Sequence, residues 1–202
     1  GGMNYMLRHY QPEGMTIYDA RAWCLGGCLE SSPGCFQPLH YNGKTYMVPG
    51  GAAPTCGTGI HFTGLPKLLE LVLTNGEDKR TGIQVFAPHN HKLDTFEDVW
   101  DVWMMYMREL LDVANKINNI QMDVWRKINM PVVASMLKPD CFKKGQHIGN
   151  EGARYNGGIN FESCGTVNFI NSMASLKKNV YDDKKYTLEE MTDAILHNFG
   201  FK

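Results

Sequence analysis

The sequence predicts an α/β fold with parallel strands, and three observations predict it. Val99, Trp103, Met107, Leu110, Ala114, Ile117, Val124 and Ile128 recur at helical spacing, which makes one long amphipathic helix. Short strand-like runs alternate with helical segments, the order expected when helices cover a sheet. The strand candidates number about four or five, too few to close a barrel of eight and nearer to half of one.

The elements follow in chain order. Thr16 with Asp19 three residues on reads as a helix start, and Ile17 to Trp23 forms a short helix that feeds a Gly-Gly loop. Lys44 to Val48 is strand-like, and Pro49 to Gly59 is too rich in Gly and Pro to be regular. Pro66 suits the first turn of a helix through Leu68, Leu69, Leu71 and Val72, with Asn75-Gly76 as its stop. A polar loop comes next. Thr95 with Asp98 then opens the long helix, which exceeds thirty residues before Pro131. Val132 to Leu137 suits a buried strand, and Lys138 to Asn150 a polar loop. Ile159 to Gly165 follows a Gly-rich loop as a further strand-like run. Thr187 with Glu190 caps a last helix that stops at Asn198-Phe199-Gly200. Internal repeats and low-complexity segments are absent from the sequence.

Charge and composition narrow the function. Lys plus Arg is 20 and Asp plus Glu 21 in 202 residues, a net charge of -1, and no basic run marks a nucleic-acid partner. No apolar run approaches the length of a membrane span, so a cytoplasmic protein is expected. The six cysteines are expected to be reduced thiols, since a chain of this size does not need disulfide staples. Cys24, Cys28 and Cys35 miss the paired spacing of zinc sites, and Ser31 stands where an iron-sulfur loop needs its third cysteine. No metal is expected.

The stretch Gly26-Gly27-Cys28-Leu29-Glu30 carries the chemistry. Two glycines ahead of a cysteine make a tight loop, and extended backbone at Cys28 to Glu30 points a thiol and a carboxylate to the same side. Read by itself, Cys28 is a small buried hydrophobe or a reactive thiol, and Glu30 a solvated charge or a partly buried acid with a raised pKa. His61 has apolar neighbours, and Glu162 sits inside an apolar strand-like run where a carboxylate must be paired, protonated or functional. Cys24, Cys35, Cys56, Cys141 and Cys164 read as structural. Trp100, Trp103 and Trp125 read as core or interface, and His89 and His91 as an exposed loop.

Gly27-Cys28-Leu29-Glu30 resembles the thiyl-radical cysteine loop of glycyl radical enzymes, usually Gly-Cys-Val-Glu. The resemblance extends through Pro33-Gly34-Cys35-Phe36, Pro54-Thr55-Cys56-Gly57-Thr58-Gly59-Ile60-His61-Phe62 and Ile159-Asn160-Phe161-Glu162-Ser163-Cys164-Gly165. Within that family it is similar to the arylacetate decarboxylases over Tyr5 to Lys202. The resemblance implies part of a ten-stranded α/β barrel of the pyruvate formate-lyase type, with the thiyl cysteine on an internal loop. It implies Cys28 as the thiyl residue, Glu30 as its neighbouring acid, and His61 and Glu162 around the substrate ring.

The implied reaction is loss of carbon dioxide from an arylacetate, 4-hydroxyphenylacetate giving 4-methylphenol, in an anaerobic bacterium. Indoleacetate and phenylacetate are the alternative substrates. A cysteine hydrolase with His61 as base, or a non-catalytic aromatic-binding fragment, is the alternative from another class. The implied cofactor is a glycyl radical installed by a radical S-adenosylmethionine activating enzyme, with no cofactor bound directly. The implied partners are that activase, a small iron-sulfur subunit and further copies of the enzyme. The radical loop, Arg-Val-x-Gly-Tyr, is nowhere in these residues. The chain is therefore expected to be an internal segment of the barrel domain, residues 1-202, with the C-terminal glycyl radical domain outside it.

Overall fold

The computed structural model describes residues 17–21, 24–25, 31–32, 36–49, 60–128, 132–154 and 160–200. Its elements are α1 (Ile17–Arg21), β1 (Cys24–Leu25), β2 (Ser31–Ser32), β3 (Phe36–Tyr41), β4 (Lys44–Pro49), β5 (Ile60–Gly64), α2 (Leu65–Leu73), β6 (Glu77–Asp78), β7 (Ile83–Gln84) and α3 (Phe96–Ile128). Then come α4 (Val132–Met136), α5 (Pro139–Lys144), β8 (Asn160–Cys164), α6 (Thr166–Leu176) with a π-helical extension at Lys177–Asp182, α7 (Leu188–Leu196) and a 3-10 turn at Asn198–Gly200.

The fold is mixed α/β, as expected, but its strands pair differently. Among the described residues, β1 with β2, β3 with β4 and β6 with β7 are antiparallel hairpins, and the non-local pair is β5 with β8. Hairpins win where a tight turn is available. Asn42 and Gly43, at φ 48 and 71, both take the left-handed region and close Tyr41 onto Lys44, the backbone that an Asn-Gly hairpin turn requires. Val132 to Leu137 is not a strand: α4 is a helix that buries none of its residues. A short apolar run does not separate strand from buried helix, and proline just ahead of it suits a helix start. Lys138 to Asn150 is likewise not all loop, because Pro139 opens α5 and Gly145, at φ 63, ends it.

The chain divides into two compact units. The first comprises Gly1–His61 and Asn115–Glu162. Its described core is Cys141, Ile148 and Ala153, with Asp19 and Ala20 of α1 also buried. The segment after α5 is strapped down by polar contacts. The Lys144 ammonium donates to the carbonyls of Glu151 and Ala153 at 2.9 and 2.6 Å, and the Ile148 amide donates to Ser135 Oγ at 3.0 Å. Arg126 on α3 reaches Glu151 at 3.0 Å.

The second unit comprises Phe62–Ala114 and Ser163–Lys202. Its core joins Leu65, Leu68, Leu69 and Val72 of α2 to Val99, Trp103 and Tyr106 of α3 and to Phe169, Met173 and Leu176 of α6. Val72, Val99 and Tyr106 are fully enclosed, and each large apolar side chain so buried contributes roughly 1.5–3 kcal/mol. Phe169 stacks on Trp103 with ring centroids 4.6 Å apart, and Phe86 on Tyr106 at 4.4 Å. Thr95 with Asp98 and Thr187 with Glu190 form reciprocal caps at the starts of α3 and α7. Burial pushes the Tyr181 phenol up to about 12, and its hydroxyl donates to the Leu93 carbonyl at 3.1 Å.

Candidate active site

Two strands carry the residues expected at the substrate ring. His61 is on β5 and Glu162 on β8, and these strands are hydrogen-bonded neighbours in one two-stranded sheet. Both residues belong to the first unit. The His61 side chain lies outside the described residues.

Glu162 is half-buried, and its Oε1 is enclosed with no hydrogen-bond partner among the described residues. An enclosed carboxylate oxygen without a donor is costly, so the atom is suited to accept a hydrogen bond from a group that is not part of the described protein. A hydroxyl donor would satisfy it.

Each strand runs into a helix through a glycine. Gly64 precedes α2, and Gly165, at φ 73, precedes α6. A side chain at Gly165 would bring its Cβ within 2.9 Å of the Pro66 ring, so the start of α6 approaches the start of α2 because this position has no Cβ. Within the second unit, α2 packs on α6.

Cys28 and Glu30 lie outside the described residues. The ends of their interval do not: Cys24 pairs with Ser32 and Leu25 with Ser31, so an antiparallel hairpin brackets the thiol loop. β1, β2, the Ile60–His61 end of β5 and the Glu162 end of β8 all belong to segments of the first unit.

Of the residues read as structural, Cys141 is buried and burial raises its thiol pKa, while Cys164 is exposed at the end of β8. Cys24, Cys35, Cys56 and the Trp125 side chain lie outside the described residues. Trp103 is buried and Trp100 is more exposed, their rings stacked at 5.5 Å. His89 is half-buried rather than fully exposed: its Nε2 meets the Val72 carbonyl at 3.0 Å, and its ring stacks on His91 at 5.9 Å. Among the described residues, no group of three or more His, Cys, Asp or Glu stands together as a metal site, and no helix is long and apolar enough to cross a membrane.

Sequence reasoning missed two further orphaned atoms in the first unit, Asn118 Oδ1 and His147 Nδ1, both enclosed and without partners among the described residues. Asn118 was findable, since it interrupts the apolar spacing of α3 beside Ile117. His147, in a polar stretch, gave no signal.

A family profile described as pyruvate formate lyase-like matches residues 3–202. The chain is 70% identical over 201 residues to the 4-hydroxyphenylacetate decarboxylase glycyl radical subunit of Clostridium scatologenes, covering 100% of this chain and 22% of that protein. It is 33% identical over 192 residues to an indoleacetate decarboxylase of Tractidigestivibacter scatoligenes, covering 95% of this chain and 20% of that one. The solved structure of hydroxyproline dehydratase from Clostridioides difficile superposes with a TM-score of 0.72 at 23% identity, over 98% of this chain and 23% of that one. That likeness shows the fold. The chain spans about a fifth of the length of these relatives.

Proposed function

We propose, since the chain belongs to the pyruvate formate lyase-like family, that it forms the thiol-bearing part of the catalytic subunit of an arylacetate decarboxylase. The substrate is 4-hydroxyphenylacetate, and the products are 4-methylphenol and carbon dioxide. The observation that carries this reading is the gap between the two decarboxylase identities, over nearly the same stretch of chain. The enclosed, partnerless Oε1 of Glu162 supports a substrate that brings a hydroxyl donor.

In this reading the chain contributes strands to a ten-stranded barrel, with Cys28 on a loop inside it. The glycine that stores the radical belongs to a C-terminal domain outside these residues, where a radical S-adenosylmethionine activase acts on it. A small iron-sulfur subunit and association with further copies complete the enzyme. A hairpin-bracketed thiol fits this role, because paired strand ends hold the loop that must meet the radical and the substrate in turn.

A glycyl radical would supply the unpaired electron, and Cys28 would carry it at sulfur. Cys28 then accepts one electron from the substrate carboxylate, and Glu30 delivers the proton that restores the thiol and is itself reprotonated from solvent. Carbon dioxide leaves as the carbon-carbon bond breaks. Glu162 and His61 hold the phenol hydroxyl, take up its proton so that charge spreads into the ring, and return that proton to the oxygen as the product forms. Cys28 finally returns a hydrogen atom to the benzylic carbon, which forms the methyl group and regenerates the sulfur radical.

Anaerobic activation of the complete enzyme, followed by product analysis with three arylacetates, tests the proposal. The expected result is 4-methylphenol from 4-hydroxyphenylacetate as the fastest reaction. A higher kcat/KM for indoleacetate or phenylacetate would overturn the substrate assignment.

A further inference from the structure

We infer that Arg154 is a positioning residue for the decarboxylation, clamping the helix ahead of the cysteine loop to the segment ahead of the Glu162 strand; this rests on the assignment of Cys28 and Glu162 above. The Arg154 guanidinium lies between two carboxylates of the first unit. Its Nη1 is 3.9 Å from Asp19 Oδ1 on α1, and its Nε is 3.5 Å from Asp140 Oδ2 on α5. The Asp19 and Asp140 side chains are only 10% and 13% exposed, and Arg154 is 33% exposed. Two enclosed carboxylates facing one cation make an arrangement that is expensive to break from one side. A planar fork with donors on different edges can face both at once, which the single point charge of lysine does less well.

The clamp's position along the chain gives it a function. Asp19 sits on α1, and the next described element along the chain is β1, whose pairing with β2 brackets Cys28 in sequence. Arg154 closes the strapped segment that Lys144, Ser135 and Arg126 hold, and β8 with Glu162 is the next described element. One side chain therefore ties the thiol's segment to the carboxylate's segment. A misplacement of about 1 Å between reacting groups costs on the order of a hundredfold in rate. The phenol end keeps a second hold that the thiol end lacks in this proposal, because the strand of Glu162 is paired with that of His61.

The test uses the complete, activated enzyme with Arg154→Gln, Arg154→Lys and the double variant Arg154→Gln with Asp19→Asn. Arg154→Gln is expected to lower kcat by about tenfold or more, with KM within about twofold and the stored glycyl radical at its unmutated level by electron paramagnetic resonance. Arg154→Lys is expected to recover part of kcat. The double variant removes one of the two carboxylates that faced Arg154, so it is expected to be more thermally stable than Arg154→Gln without regaining kcat. A kcat that returns with stability, a kcat unchanged in Arg154→Lys and Arg154→Gln, or a loss confined to KM overturns the clamp. If Arg154→Gln does not fold, Arg154→Lys carries the test through the same comparison. A readout independent of the substrate is the rate of iodoacetamide alkylation at Cys28 in the unactivated complete enzyme. Arg154→Lys should change it by threefold or more, and an unchanged rate contradicts the proposal. Absence of 4-methylphenol from the unmutated enzyme would overturn the substrate reading instead, and alkylation would still decide the clamp.

Discussion

Glu162 shows how one residue joins sequence, structure and chemistry. A carboxylate in an apolar strand-like run needs a partner, and the structure leaves its Oε1 enclosed without one among the described residues. A site that hydrogen-bonds a hydroxyl rejects the analogue lacking it far more strongly than an apolar pocket discriminates one methylene. The complete enzyme should therefore prefer 4-hydroxyphenylacetate over phenylacetate by on the order of a hundredfold or more in kcat/KM. Glu162→Gln should shrink that preference while leaving Cys28 reactive, and equal turnover of both acids by the unmutated enzyme would remove Glu162 from the phenol site. Glu162 stood out in the sequence because its type disagrees with its neighbours. Arg154 was not legible: an arginine in a Gly-rich stretch is ordinary until Asp19 and Asp140, distant in sequence, are found beside it. Asp78 shows a second effect of local partners, since hydrogen bonds from Lys67 and Thr81 hold its carboxyl down to about 2 from 3.8. A depressed carboxylate contributes stability above its ordinary pKa and loses it as pH falls through the folded value. Asp78→Asn should thus flatten the fall in thermal midpoint between pH 3.8 and about 2, and an unchanged acid profile would contradict this.

At the scale of elements, caps and turns decided what was readable. The starts of α3 and α7 were found from Thr95 with Asp98 and Thr187 with Glu190, because a capping box is a local pattern. The β3–β4 hairpin was half found: Lys44 to Val48 read as a strand, while the Asn42-Gly43 turn that pairs it with β3 was available but unused. Val132 to Leu137 was misread because a short apolar run carries no period of its own. The β5–β8 pairing was not readable, since nothing local specifies a partner so far along the chain. Glycines separate two kinds of cost at these turns. At Gly43, φ 71, nothing lies within 4 Å of an added Cβ, so Gly43→Ala pays only left-handed backbone strain, about 1–2 kcal/mol. At Gly76, φ 86, the added Cβ would lie 2.4 Å from the Phe86 carbonyl oxygen and 3.0 Å from the Tyr106 hydroxyl. Gly76→Ala adds that clash to the same strain, so denaturant unfolding should show a clearly larger loss than for Gly43→Ala. Equal losses would mean that the corner after α2 yields without resistance.

At the scale of the whole molecule, the chain is proposed to supply the thiol loop and one side of the phenol site, with the radical glycine outside it. The chain by itself is accordingly expected to form no 4-methylphenol from 4-hydroxyphenylacetate. Ester or amide hydrolysis by the isolated chain that vanishes in Cys28→Ser would favour a cysteine hydrolase instead. The central claim is that Cys28 carries the radical to the substrate, and Cys28→Ser in the complete, activated enzyme tests it most directly. Serine keeps the size of the side chain, but its hydroxyl does not readily give up a hydrogen atom to carbon. Paired measurements of the stored radical by electron paramagnetic resonance and of 4-methylphenol formation should show the radical intact and the product absent. Substantial 4-methylphenol from Cys28→Ser would contradict the account.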